Sequence, residues 1–189
     1  MNVTNCVLVT LNISNWDANR QDRRVSALVA DANDVKDQRL CRLRKSLLPK
    51  TQVMDRLYAV IRAARTFHYE NTHAWMHDGP RILATSNFDA YMKQMRRFKA
   101  DFETAVLDFI VQYEDIKTEA TGVLGKLYDA ADYPDKNTLR RRYAFETKIQ
   151  PMPASTGLLE LGLEPEEADA FRRKLEADMA DTFQRANRR

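Results

Sequence analysis

The 189-residue chain is short of the residues that build turns and cross-links: it holds five glycines, six prolines and two cysteines. Few turn formers mean few, long elements, which favours helices over a sandwich or a barrel. Cys6 and Cys41 have no CxxC spacing and are too few for a disulfide framework, so reduced thiols are expected. An excess of one charge is also lacking. Lys plus Arg number 30 and Asp plus Glu 27, a formal net charge of +3, which alone does not argue for nucleic acid. The opening MNVTNCVLVTLNIS has no basic leader and its apolar stretch is interrupted, so neither a signal peptide nor a membrane span is expected. The sequons at Asn2 and Asn12 are then empty matches. No P-loop, GxGxxG, GxSxG or HExxH occurs, and no enzymatic activity and no cofactor are expected.

What is present is the composition of a folded soluble protein, 44% hydrophobic and 30% charged. The chain is long enough to bury a core without disulfides or a structural metal. In residues 5–14, Val7, Val9, Leu11 and Ile13 alternate with polar residues and predict a β-strand. A lone strand leaves its backbone unpaired, and the best partner is 143–150, where Tyr143, Phe145, Thr147 and Ile149 alternate; a helix continuing from Asn137 is the other reading of 139–146. A helix is predicted over 18–32, capped by Ser14, Asn15 or Asp17. Leu40, Leu43 and Leu47 recur at helical spacing, and Pro49 with Thr51 marks a restart. From 51 to 69 the stripe Val53, Leu57, Val60, Ile61, Ala64 and Phe67 predicts a second helix.

The most regular pattern begins after Ser86 or Asn87. Phe88, Met95, Phe102, Phe109, Ile116 and Val123 are spaced by seven, and Met92, Val106, Tyr113, Ala120 and Leu127 fall four residues after members of that series. A helix over about 86–128 would run roughly 60 Å and must lie along another helix, the one at 51–69 in an antiparallel hairpin, or project from the body. Bulky knobs at Phe102 and Phe109 suit a helical bundle. Gly122 and Gly125 are placed to kink or end this helix, and DYPD at 132–135 is a break. The expected fold is therefore mainly α: a long antiparallel helical hairpin or bundle with a small two-stranded β element near the N-terminus. It occupies 1–150, followed by an extended connector at 151–164 and a C-terminal amphipathic helix at 165–189, with a stripe of Ala168, Phe171, Leu175, Met179 and Phe183, packed on the same domain.

Several motifs occur in a characteristic order: LNIS followed by Trp16; TxxWxxxGxRIL on Thr72, Trp75, Gly79, Arg81, Ile82 and Leu83; FxxYxxxM; FxxAVxxFxxxY; LGxLYxxxDYP ending at Pro134; and the pair Pro151 and Pro153. Together they resemble a family of uncharacterised proteins of tailed bacteriophages and mobile elements, a domain of unknown function, over nearly the whole chain. The resemblance implies phage or mobile-element origin and action in the host bacterial cytoplasm. It also implies, from the usual neighbours of such genes, an adaptor working with a MoxR-type AAA+ ATPase and a von Willebrand A domain protein. The family's proline pair is followed by an aromatic and an arginine, and GLLELGL stands there instead.

Candidate site residues each have a plainer reading beside them. His68, His73 and His77, with Glu70 and Asp78, fall within one short stretch, but HxxxxHxxxH matches no established ligand spacing, and a structured loop is the plainer account; no metal site is assigned. Trp75 reads as a plug over the end of the hairpin or a stacking ring. Arg81 reads as an anchor for a phosphate or a partner carboxylate, or as a pin for its own loop. The basic groups Arg20, Arg23 and Arg24; Arg39, Arg42, Arg44 and Lys45; Lys93, Arg96, Arg97 and Lys99; and Arg140, Arg141 and Arg142 are either solvated faces or a polyanion-binding surface. The carboxylate pairs Asp129 with Asp132 and Asp132 with Asp135 could bind a cation or act as acid and base, and read more simply as turn formers around Tyr133 and Pro134. The leading expectation is a non-enzymatic adaptor with a protein partner, an AAA+ ATPase or a host factor. A nucleic-acid-binding accessory protein and, last, a metal-dependent enzyme are the alternatives. Pairing of the long helix within one chain or between two copies, a homo-oligomer, stays open.

Overall fold

The computed structural model describes residues 6–75 and 79–151 together with 173 and 177. In chain order its elements are β1 (Cys6–Ser14), β2 (Asn19–Gln21), α1 (Arg23–Ala32), β3 (Arg44–Ser46), α2 (Gln52–Asn71), β4 (His73–Ala74), β5 (Arg81–Ala84), α3 (Phe88–Leu124), α4 (Lys136–Arg140) and β6 (Ala144–Pro151). Two units emerge: Met1–Asn12, Ile61–Ala100 and Phe145–Arg189 form the first, and Ile13–Val60 and Asp101–Ala144 the second. Most of the expected connector and C-terminal helix, with His77, Asp78 and Pro153, lies outside the described residues.

The expectation of a mainly helical bundle with one small two-stranded element is overturned. The first unit contains a four-stranded antiparallel sheet in the order β4-β5-β1-β6, and the second a separate pair, β2-β3. Strand β6 does lie beside β1, but as one side of a larger sheet: β5 takes the other edge of β1, in the register Cys6↔Ala84 to Val9↔Arg81. Both edges of β1 are paired, and residues on both of its faces are buried at its start. Cys6, Leu8 and Val9 are buried while Val7 is only partly so, and the single-face alternation expected for the strand does not hold. The missed strands β2, β3, β4 and β5 are two to four residues long. Runs this short carry no periodicity of their own, and they are extended because a neighbour satisfies their backbone.

The same reason corrects the helix expected at 18–32. Residues 19–21 pair with 44–46, and α1 begins only at Arg23, capped by Asp22, whose Oδ1 accepts the Val25 N–H at 3.0 Å. The helical spacing of Leu40, Leu43 and Leu47 is likewise not a helix. Leu40 ends a 3-10 turn and is 81% exposed, whereas Leu47, just past β3, is buried.

Helix α3 runs for 37 residues, about 55 Å, and stops where Gly125 turns to φ +49°, a left-handed backbone that favours glycine. Its buried side chains keep the seven-residue period from Met95 through Phe102 and Phe109 to Ile116, with Val106, Tyr113 and Ala120 beside them, and lose it only at the end of the helix. Tyr91, Phe102 and Tyr113 are buried and Leu124 packs against the second unit's core; these positions are eleven apart, about 3.67 residues per turn, the period of a nearly straight helix. A strict heptad series drifts by about 20° per repeat off such a helix, and its last member, Val123, is 68% exposed. Within the first unit, Phe67 of α2 stacks on Tyr91 at 5.8 Å and meets Phe98 at 5.7 Å. Within the second, Phe109, Tyr113 and Ile116 share a core with Trp16, Leu47 and Tyr133. Tyr133 donates to the Leu47 carbonyl at 2.6 Å and Tyr113 to the Pro134 carbonyl at 2.9 Å, so each buried phenol has its partner.

Candidate anion-binding cleft

In the first unit the residues around the TxxWxxxGxRIL motif form an internal polar network. Arg81 donates through Nε to the Thr72 hydroxyl at 2.7 Å and through Nη2 to the Thr72 carbonyl at 2.8 Å, and its guanidinium lies 4.7 Å above the Tyr69 ring. The Thr72 hydroxyl in turn donates to the His68 carbonyl at 2.5 Å. His68, 4% exposed, has Nδ1 2.7 Å from the Tyr91 hydroxyl. Burial, with the nearby Arg81 charge adding to it, pushes the His68 imidazole down to about 4, and burial pushes the Tyr91 phenol up. Arg81 is thus the pin that ties β5 to the end of α2. Trp75 packs on the Cys6, Leu8 and Ile82 cluster of the sheet instead of plugging a hairpin. His73 sits exposed on β4. Among the described residues no three His, Cys, Asp or Glu side chains gather closely enough to hold a metal ion.

The second unit gathers charge differently. Pairing of Arg20 with Lys45 across β2 and β3 brings two of the basic groups together. Lys45 is 7% exposed, and its ammonium lies 2.8 Å from Asp132, 3.5 Å from Asp22 and 2.6 Å from the Leu127 carbonyl. Burial would lower its pKa, but the hydrogen bond and charge of Asp132, joined by Asp22, outweigh burial and hold the ammonium above its ordinary value. Asp132 also meets Arg20 at 3.4 Å. Asp129 and Asp135, by contrast, are turn formers, accepting the N–H groups of Ala131 and of Asn137 and Thr138.

Around this knot the surface mixes both signs, three basic residues facing three carboxylates. One cleft of about 670 Å³ is lined by Arg20, Gln21, Asp22, Arg23, Lys45, Asp129 and Asp132. It shares Gln21 and Arg23 with a recess of about 400 Å³ whose other walls are Ser26, Ala27, Gln38, Arg39, Cys41 and Arg42. The recess has three guanidinium groups and not one carboxylate in its walls. Arg39 is held by Asp37 at 2.9 Å and Arg42 by the Arg39 carbonyl at 3.0 Å, which orients them. Among the described residues no carboxylate comes within 4.0 Å of Arg23. Planar guanidinium groups are well suited to phosphate or carboxylate oxygens, and that of Arg39 already holds the Asp37 carboxylate in two-pronged fashion.

The other expected binders are scattered. Lys93, Arg96 and Arg97 are exposed on the part of α3 in the first unit, and Arg140, Arg141 and Arg142 are exposed at the end of α4 in the second. Sequence reading named the arginines of the recess as two separate clusters but not their meeting, which depends on the β2-β3 pairing. The burial of Lys45 went unforeseen, and the one signal for it was Asp22 immediately before a helix start with Asp132 in a turn. No protein-family model, no curated protein and no solved structure matches the chain. No helix among the described residues is long and apolar enough to cross a membrane.

Proposed function

We propose that this protein is a non-enzymatic binding protein that holds a polyanion, a nucleic-acid backbone, on the arginine-lined cleft of its second unit. The observation that carries this reading is the recess lined by Arg23, Arg39 and Arg42, in which Asp37 pairs with Arg39 and no carboxylate pairs with Arg23 or Arg42 among the described residues. Contacts of this kind read phosphate and not base edges, so binding is expected to be indifferent to sequence and steep in salt. The test is fluorescence anisotropy of labelled single- and double-stranded oligonucleotides between about 50 and 200 mM salt. Changing Arg23 and Arg42 to Ala should weaken binding to every sequence alike and lower the salt slope by about two. Half-exposed Cys41 lies in the same recess while Cys6 is buried, so oligonucleotide should also slow alkylation of Cys41. No binding at low salt, or an unchanged slope in the double variant, removes the proposal.

A protein partner is the second reading, the adaptor role. Its support is the exposure of Leu28 on α1 and of Leu40 in the 38–40 turn, at 60% and 81%, large apolar side chains of the kind interfaces cover. The phage setting, host cytoplasm and an AAA+ ATPase or host factor as partner come from the sequence resemblance and belong to this second proposal. Leu28→Ser with Leu40→Ser should abolish recovery of a specific partner from infected cells while leaving oligonucleotide binding intact.

A further inference from the structure

The exposed side of α3 carries opposite charges in its two parts. In the part belonging to the first unit, Asp89 stands against exposed Lys93, Arg96, Arg97 and Lys99; in the part belonging to the second, Lys117 stands against Asp101, Glu103, Asp108, Glu114, Asp115 and Glu119. Helical phase puts Lys93, Arg97, Ala100, Thr104, Asp108, Val111 and Asp115 on one side of the helix, successive members being three or four residues apart. All of them are exposed, opposite the buried series of Met95, Phe102, Phe109 and Tyr113. In the midst of these charges Val111 is 74% and its neighbour Leu107 48% exposed, and no ion pair forms within the chain for Lys93, Arg97, Asp108 or Asp115 among the described residues.

We infer that this face binds a second copy of the chain, α3 against α3 in antiparallel fashion about a two-fold axis near Thr104. The argument is complementarity with itself. Antiparallel pairing about position 104 sets Lys93 opposite Asp115 and Arg97 opposite Val111, one turn from both Asp108 and Asp115; the axis repeats each contact. Parallel pairing would set base on base and acid on acid. Ala100 and Thr104, at the crossing, are small enough for close approach of the two helices, and Leu107 and Val111 lose their exposure to water on either side of it. A foreign partner would need both signs in the reverse order, which a second α3 has by construction.

Sedimentation equilibrium of the whole chain at about 50 mM salt should show a dimer that dissociates as salt rises. Lys93→Glu with Arg97→Glu should give a monomer, because acid then faces acid in both halves, and Asp108→Lys with Asp115→Lys should do the same with bases. Mixing the two variants should restore a one-to-one dimer, since each half of the mixed interface again pairs acid with base. All four positions are on the surface, and a far-UV circular dichroism melt shows whether the variants remain folded. A wild-type chain that stays monomeric at low salt, a dimer indifferent to both reversals, or a mixture that does not reassociate overturns the inference. The Arg23 and Arg42 substitutions should leave the dimer intact, so its failure and that of the anion cleft are read separately.

Discussion

Each unit buries a basic side chain, and they do so by opposite means. The first keeps His68 neutral, bonded to the Tyr91 hydroxyl at 2.7 Å. The second keeps Lys45 charged and surrounds it with Asp132, Asp22 and the Leu127 carbonyl. Removing a proton is the cheaper solution for imidazole, whose ordinary value of 6.5 is near neutrality, whereas an amine at 10.5 must be accompanied by carboxylates. The two units should therefore differ in what breaks them.

The largest effect is expected at Lys45. Lys45→Met leaves Asp22 and Asp132 together without their common cation, at a cost of about 3–5 kcal/mol, measurable by urea unfolding; Asp22→Asn and Asp132→Asn added to it should recover much of the loss. Next comes acid. Above pH 6.5 His68 is neutral in both folded and unfolded chains and its contribution is complete. As pH falls from 6.5 towards 4, the unfolded chain takes up a proton that the folded chain does not, and stability declines by about 3 kcal/mol in all. His68→Gln should flatten unfolding free energy across that window. The carboxylates of the second unit respond later: Asp22 is held below its ordinary 3.8, first by the Val25 N–H and then by Lys45, so its share is lost only as pH falls below that value. Hydrogen exchange at pH 5 should then show amides of 61–71 and 88–100 losing protection before those of 19–26 and 44–48.

Smaller effects sharpen the contrast. Arg81→Ala removes both bonds to Thr72, taking that donor from its buried carbonyl and leaving its hydroxyl only the bond to the His68 carbonyl, an expected loss of about 2 kcal/mol in denaturant unfolding; Arg81→Lys should not restore it, since a single ammonium cannot reproduce the two-pronged geometry. Tyr113→Phe should cost about 1 kcal/mol by removing the bond to the Pro134 carbonyl, seen as a lower thermal midpoint.

How much of this was legible differs by element. Helices α2 and α3 were readable because each is long enough for apolar side chains to recur over many turns, and β1 because nine residues suffice for a strand pattern. The seven-residue series of α3 holds from Met95 to Ile116; seven and eleven fit nearly the same residues until the drift accumulates, and Val123, exposed, with Leu124, packed on the core, is where they part. Of the candidate sites, Arg81 had two readings in the sequence, and its partners were not visible there, since Thr72 and Tyr69 come into reach only when β5 folds back beside β4.

Repetition along the chain was enough to establish the long helices, the end of α3 at a glycine and the extended start, because each rests on contacts or backbone preferences within a few residues. Which charges went inside, which short runs became strands and which arginines share a hollow depended on segments brought together from afar, as when Lys45 reaches the Leu127 carbonyl across 82 positions. Those outcomes are set by the desolvation of a charge and the pairing of a backbone, and both depend on neighbours that no local pattern specifies.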